Sequence, residues 1–246
     1  MTEISSSGSA ATLHRGLGKS PPEARRFWRV LLAVVAPLPA LALAAGAFLT
    51  PYPFEADAPA ALAGAAADQD AMRIVVWLGL LAAMTLAPTT IAVAWVCRRH
   101  APRLTAVGAV LSLAAFGATA ALPNGELTAL ATVHHDLDRT VVVALDEAVW
   151  GQPTVVAALL IFLPGMVIGG ILLGVALWRS RVAPRWMALA LIVSAPLHLA
   201  PGLGNNALAA LSWALTAIGY TGASLALLRM DNDAFDLPPV AAGSTS

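Results

Sequence analysis

The chain has 246 residues, of which 59% are apolar and 11% charged, with a formal net charge of zero. A soluble domain carries about 25% charged residues, so this composition excludes an ordinary water-soluble globular protein. Balanced charge without a basic stripe excludes nucleic-acid recognition, and the single cysteine, Cys97, excludes an intrachain disulfide.

Residues 1–27 are polar and rich in Ser, Gly and Pro, and read as a disordered cytoplasmic tail. Residues 231–246 read the same way. Between them, residues 28–230 form one transmembrane domain, with apolar segments at about 28–49, 74–97, 104–122, 154–178, 186–202 and 207–228. Each approaches the roughly 20 residues that a bilayer crossing needs, and the fifth is the shortest. The first is expected to remain uncleaved, because its apolar core of about 22 residues exceeds the roughly 7–15 of a signal peptide. The fold class is therefore all-α: a polytopic membrane bundle of six transmembrane helices plus one extracellular surface helix.

Arginine and lysine set the orientation. Arg15, Lys19, Arg25, Arg26 and Arg29 precede the first segment. Arg98, Arg99 and Arg103 follow the second, Arg179, Arg181 and Arg185 follow the fourth, and Arg229 ends the sixth. The other side holds only Arg73 and Arg139. The pattern predicts an inner-membrane protein with both termini in the cytoplasm. The outer loops are acidic, with Glu55, Asp57, Asp68 and Asp70 in the first and Glu126, Asp136, Asp138, Asp146 and Glu147 in the second. Tolerated carboxylates explain this, and cation attraction is the alternative. Within the second outer loop, Leu127, Leu130, Leu137 and Val141 recur at spacings that predict one surface helix.

Pro37 and Pro39 interrupt the first segment, Pro88 the second, Pro164 the fourth and Pro196 the fifth. Each frees a backbone carbonyl, and Thr89 and Thr90 are placed to satisfy the groups freed by Pro88. The fourth segment carries Gly165, Gly169, Gly170 and Gly174, two small-xxx-small pairs that let a neighbouring backbone approach. Ser212, Thr216, Gly219 and Gly222 on the last helix are the expected partner stripe, with a homodimer seam as the alternative.

Histidine is the one metal-type residue with several members. His134 and Asp138 are four apart, hence on one face of the expected outer helix. His198 lies roughly 20 Å up its own helix from the cytoplasmic end, nearest the loop with His134 and His135. A zinc-like site of His134, His135, His198 and Asp138 is one reading. A wet loop pair plus a buried, hydrogen-bonded His198 is the other. No cofactor is expected, and no HExxH-type signature is present.

The cytoplasmic turns 99–104 and 181–186 match at an offset of 82, Arg-His-Ala-Pro-Arg-Leu against Arg-Val-Ala-Pro-Arg-Trp. A repeated two-helix unit and convergence on a Pro-started helix both explain this. The run from Ala176 through Trp178, Arg181, Pro184 and Arg185 to Trp186 resembles a turn in uncharacterised multi-pass bacterial inner-membrane proteins. The resemblance implies no activity.

Few ionisable groups lie inside the segments, which speaks against ion-coupled transport. The expected role is an accessory or structural membrane component rather than an enzyme. It would be surrounded by the lipid bilayer and packed against itself or another membrane protein. A small transporter, facilitator or lipid-handling protein is the second reading, and a membrane-embedded metal-dependent enzyme the third.

Overall fold

The computed structural model describes residues 22–54, 56–199 and 205–236. Every regular element among them is helical. The first pass is a broken rod, α1 (Pro22–Val35) and α2 (Leu38–Leu49). Then come α3 (Ala58–Ala67), α4 (Gln69–Cys97), α5 (Pro102–Ala118), α6 (Gly125–His134) and α7 (Arg139–Trp150). The chain continues with α8 (Pro153–Ser180), α9 (Arg185–Leu197), α10 (Asn206–Arg229) and a single turn, α11 (Asn232–Phe235).

Neighbours pack in the order α2, α4, α5, α8, α9, α10 and back to α2, which closes a ring of six helices. Its interior is built mostly of small residues. Ala33, Ala36, Ala40, Ala92, Ala176, Ala188 and Ala223 are all but inaccessible, with Val93, Leu173, Leu177 and Leu227 filling between them. Small side chains let helix axes approach, the packing that works in lipid, where apolar burial alone gives no preference for protein over acyl chain. Large apolar residues point outward instead, with Phe48 77% exposed and Trp77 and Met84 each 70%. An outer surface of that kind suits hydrocarbon and not water.

Among the described residues, five helical segments are long and apolar enough to cross a membrane: Glu23–Leu49, Gln69–Cys97, Pro102–His134, Pro153–Ser180 and Asn206–Arg229. Among the described residues of the expected fifth span, 186–202, the helix runs to Leu197, the end of the 13-residue α9. Pro196 lies in its last turn, and residues 200–204 fall outside the described part.

The prolines of the first pass organise the packing around it. Pro37 has no N–H for the Ala33 carbonyl, and Ser224 of α10 donates to that oxygen at 2.6 Å. Pro39 likewise frees the Val35 carbonyl, and Thr89 of α4 donates to it at 3.2 Å. Thr89 thus serves a proline on another helix and not Pro88, as the sequence suggested. Thr90 bonds its own Leu86 carbonyl at 3.0 Å.

At one end of the ring the arginines meet the C-terminal turn. Arg25, only 8% exposed, pairs with Asp236 at 3.0 Å and Asp233 at 3.3 Å. Arg29 bonds the Met230 carbonyl, and Trp95 Nε1 donates to Phe235 O at 3.1 Å. Residues 22–27 and 231–236, expected in the tails, are helix and docked turn here. Residues 1–21 and 237–246 lie outside the described part.

The opposite end carries α3, α6 and α7, with Leu62, Ala65, Met72 and Ala129 as a small core of their own. Asn206 Nδ2 ties the start of α10 to this end through the Tyr52 carbonyl at 2.7 Å. Burial, then the nearby Glu126 carboxylate, pushes the Tyr52 phenol up to about 12. Two expectations are corrected at this end. The segment 50–73 is no plain loop, because Asp57 caps α3 and Asp68 caps α4. The expected single outer helix is two, broken at His135–Leu137, where Asp136 adopts φ 50°.

Candidate functional site

The polar cluster inside the ring centres on His198. Ser194 and His198 lie one turn apart at the end of α9, and Ser212 and Thr216 one turn apart on the facing side of α10. His198 Nδ1 is 3.0 Å from Ser212 Oγ, and Nε2 is 3.1 Å from Thr216 Oγ1. Thr216 passes a hydrogen to Ser194 Oγ at 3.0 Å, and Ser194 donates to the Leu191 carbonyl at 2.8 Å. The Trp213 ring lies against the imidazole, centroids 4.2 Å apart.

Each hydroxyl also has a backbone acceptor in reach, Ala209 O for Ser212 at 2.8 Å and Ser212 O for Thr216 at 3.1 Å. With the Nε2–H tautomer the chain His198 to Thr216 to Ser194 to Leu191 O is fully satisfied, and Ser212 can donate to Nδ1. The cavity beside it, reached by Ser112, Gly170 and Tyr220, measures about 20 Å³. That is room for about one water. The cluster therefore locks α9 onto α10, and both ring nitrogens are already engaged.

The expected metal set does not assemble. His134 ends α6, His135 caps it, and Asp138 caps α7 by accepting from Thr140 N at 2.9 Å. The two loop rings meet edge to face, centroids 4.8 Å apart. The helix break puts His134 and Asp138 on different elements, and His198 is turned into the α9–α10 seam. Among the described residues no three His, Cys, Asp or Glu side chains are placed to share a metal ion. Sequence reasoning placed Ser212 and Thr216 in a packing stripe and missed Ser194. The signal was two hydroxyl-bearing i, i+4 pairs on consecutive helices, one of them ending in histidine.

The glycines of α8 do lie at close helix contacts, with different partners from those expected. A Cβ on Gly165 would sit 2.9 Å from Leu111 O, and one on Gly169 would meet Ser112 Oγ and, at 2.9 Å, Ser112 N, both on α5. A Cβ on Gly170 would lie 3.2 Å from Ala195 Cβ, and one on Gly174 3.0 Å from Ile192 N, both on α9. The expected partner α10 instead presents Gly219 and Gly222 to α9. The two turns that resemble each other meet where Cys97 Sγ lies 3.8 Å from Ser180 Oγ. Their starts differ, since Pro102 is the first residue of α5 and Pro184 the N-cap of α9.

A ring of apolar helices, five of its described segments long enough to span a membrane, with an apolar exterior and a polar cluster closed on itself, defines a helical membrane-type bundle. The chain belongs to the DUF4386 family, a domain of unknown function, whose model matches residues 29–229. Comparisons with curated proteins and with solved structures find no match.

Proposed function

We propose that the chain is an accessory or structural component of the bacterial inner membrane that works by packing rather than by conducting or converting a substrate. In this reading the chain crosses six times, with both termini in the cytoplasm. Its partner is another membrane protein or a second copy. The observation that carries the reading is the filled centre: beside His198 there is about 20 Å³, and Ser194, Ser212 and Thr216 have their hydrogen bonds within the bundle. A conduit would need a wetted path with groups left free to bind its cargo.

Transport is the second reading, and it rests on the same His198 cluster, a polar relay inside the ring. Proteoliposomes decide between them. The accessory reading expects ion and small-solute leakage no faster than in protein-free vesicles, and a discrete cross-linked adduct from a photoreactive residue at Trp77 or Met84 in cells. A saturable flux that His198→Ala or Thr216→Val abolishes overturns it.

A further inference from the structure

Outside the ring, at the arginine-rich end, α4 and α5 leave a groove of about 280 Å³ between them. It exists because Ala94 of α4 faces Ala106 and Ala109 of α5, where larger side chains would close the hairpin. Ile91 and Trp95 form one wall, and Pro102 and Thr105 the other. From Arg98 at the mouth to Ile91 is about 10 Å at 1.5 Å per residue.

Two residues that line this groove each carry a buried donor without a partner. Thr105 is 4% exposed, and its hydroxyl bonds nothing. Other helical threonines here donate to the carbonyl four residues back, Thr90 to Leu86 at 3.0 Å, Thr132 to Thr128 at 2.7 Å and Thr221 to Ala217 at 2.8 Å. Arg98 Nε is the second. The remaining nitrogens of Arg98 bond only carbonyls, those of Trp95, Ala234, Phe235 and Asp236, and the guanidinium lies 4.1 Å over the Trp95 ring. Among the described residues no carboxylate pairs with it. Burial, then the neighbouring Arg99 charge, lowers the Arg98 pKa, so an anion at this point would relieve the site. A buried polar group without a partner calls for an explanation, and here two of them flank one apolar groove.

We propose that this groove holds one bilayer phospholipid, with an acyl chain along Ala94, Ala106 and Ala109 and its phosphate and ester oxygens at Arg98 and Thr105. The match is amphipathic. An apolar trough ends at Arg98, with Arg99 and Arg103 close by in the sequence, the arrangement that anionic headgroups seek between membrane helices. A protein partner would have to bring both a thin apolar ridge and an anion to the same end, whereas a phospholipid has both in one molecule. The proposal is independent of the accessory reading, since a bound lipid serves a transporter equally well.

Native mass spectrometry of the delipidated protein tests it, with phosphatidylglycerol, diacylglycerol and free fatty acid of matched chain length as probes. Phosphatidylglycerol should bind one to one. Diacylglycerol and fatty acid should bind at least tenfold more weakly. Ala106→Leu combined with Ala109→Leu should lower phosphatidylglycerol binding at least tenfold, and Val110→Leu, outside the groove, should not. Thr105→Val should raise Tm of the lipid-free protein, because it removes an unpaired hydroxyl, and shrink the Tm gain on adding phosphatidylglycerol. Unchanged binding by the double leucine variant overturns the proposal, as does diacylglycerol binding as tightly as phosphatidylglycerol. A parent dimer that the double variant converts to monomer also overturns it, since a second copy would then be the occupant.

Discussion

Thr89 and Ser224 show how single hydroxyls decide the geometry of the first pass. Pro37 and Pro39 each remove a helical donor, and an unmet carbonyl in an apolar interior costs about 1–3 kcal/mol. Thr89 and Ser224 supply the missing donors from two other helices, so the kink in α1–α2 docks onto α4 and α10. Interhelical hydrogen bonds in membrane proteins average about 0.6 kcal/mol and reach about 1.7. Thr89→Val should fall at the upper end, because the Val35 carbonyl has no donor of its own to return to. In a Pro39→Ala background the restored N–H can reach that carbonyl, so the same change should cost under half as much. Unfolding of the four proteins in detergent gives the coupling; equal costs in both backgrounds would mean that Thr89 does not serve the proline. The sequence made the freed carbonyls visible, yet it paired Thr89 with Pro88, its neighbour in the chain. Which hydroxyl meets which carbonyl depends on helix order around the ring, and local spacing carries no record of that.

Individual helices were legible where their apolar runs were long. α4, α8 and α10 fall near their expected limits, and the glycine pairs of α8 mark close contacts as their spacing implied. The partners were not legible, because a small-xxx-small pair says that some backbone comes near without saying whose. α3 was missed since Ala58–Ala67 is nearly uniform alanine and has no apolar period, although Asp57 and Pro59 at its start were cap signals. α6 and α7 merged into one expected helix because Leu137 and Val141 continue the three-and-four rhythm across a break that Asp136 makes with φ 50°. Gly169 and Gly170 should respond differently to added volume. On Gly169 a methyl meets backbone, Ser112 N at 2.9 Å and Gly108 O at 3.1 Å, so Gly169→Ala should cost about 1–3 kcal/mol by overpacking. On Gly170 it meets only the Ala195 methyl at 3.2 Å, and the better helix propensity of alanine, up to about 1 kcal/mol, offsets that crowding. Tm in detergent should therefore drop for Gly169→Ala and hold for Gly170→Ala. The reverse order would mean that Gly170, not Gly169, sits at the tighter approach.

At the scale of the molecule, the direction of each helix can be followed through the two ends of the ring. α4 and α8 both finish where Cys97 approaches Ser180, and α10 finishes beside Arg29 and the docked C-terminal turn. α10 starts at the opposite end, held by the Tyr52 carbonyl. α8 and α10 run the same way, so the six-pass reading has the chain return across the bundle between them. α9 covers about 20 Å of that distance against roughly 30 Å of hydrocarbon. A five-helix count by length alone would put the two termini on opposite sides, whereas the proposed six-pass reading, with a return through α9, would put them together, as the arginine asymmetry predicts. Single cysteines in a Cys97→Ser background separate the two. A membrane-impermeant thiol reagent applied to intact cells should label Glu126→Cys and Asn205→Cys. His100→Cys and Arg185→Cys should label only after permeabilisation. If Arg185→Cys and Asn205→Cys label on the same side, α9 does not complete a crossing and the six-pass arrangement fails. If His100→Cys labels in intact cells while Glu126→Cys does not, the bundle is inverted, and the acidic layer of α3, α6 and α7 faces the cytoplasm.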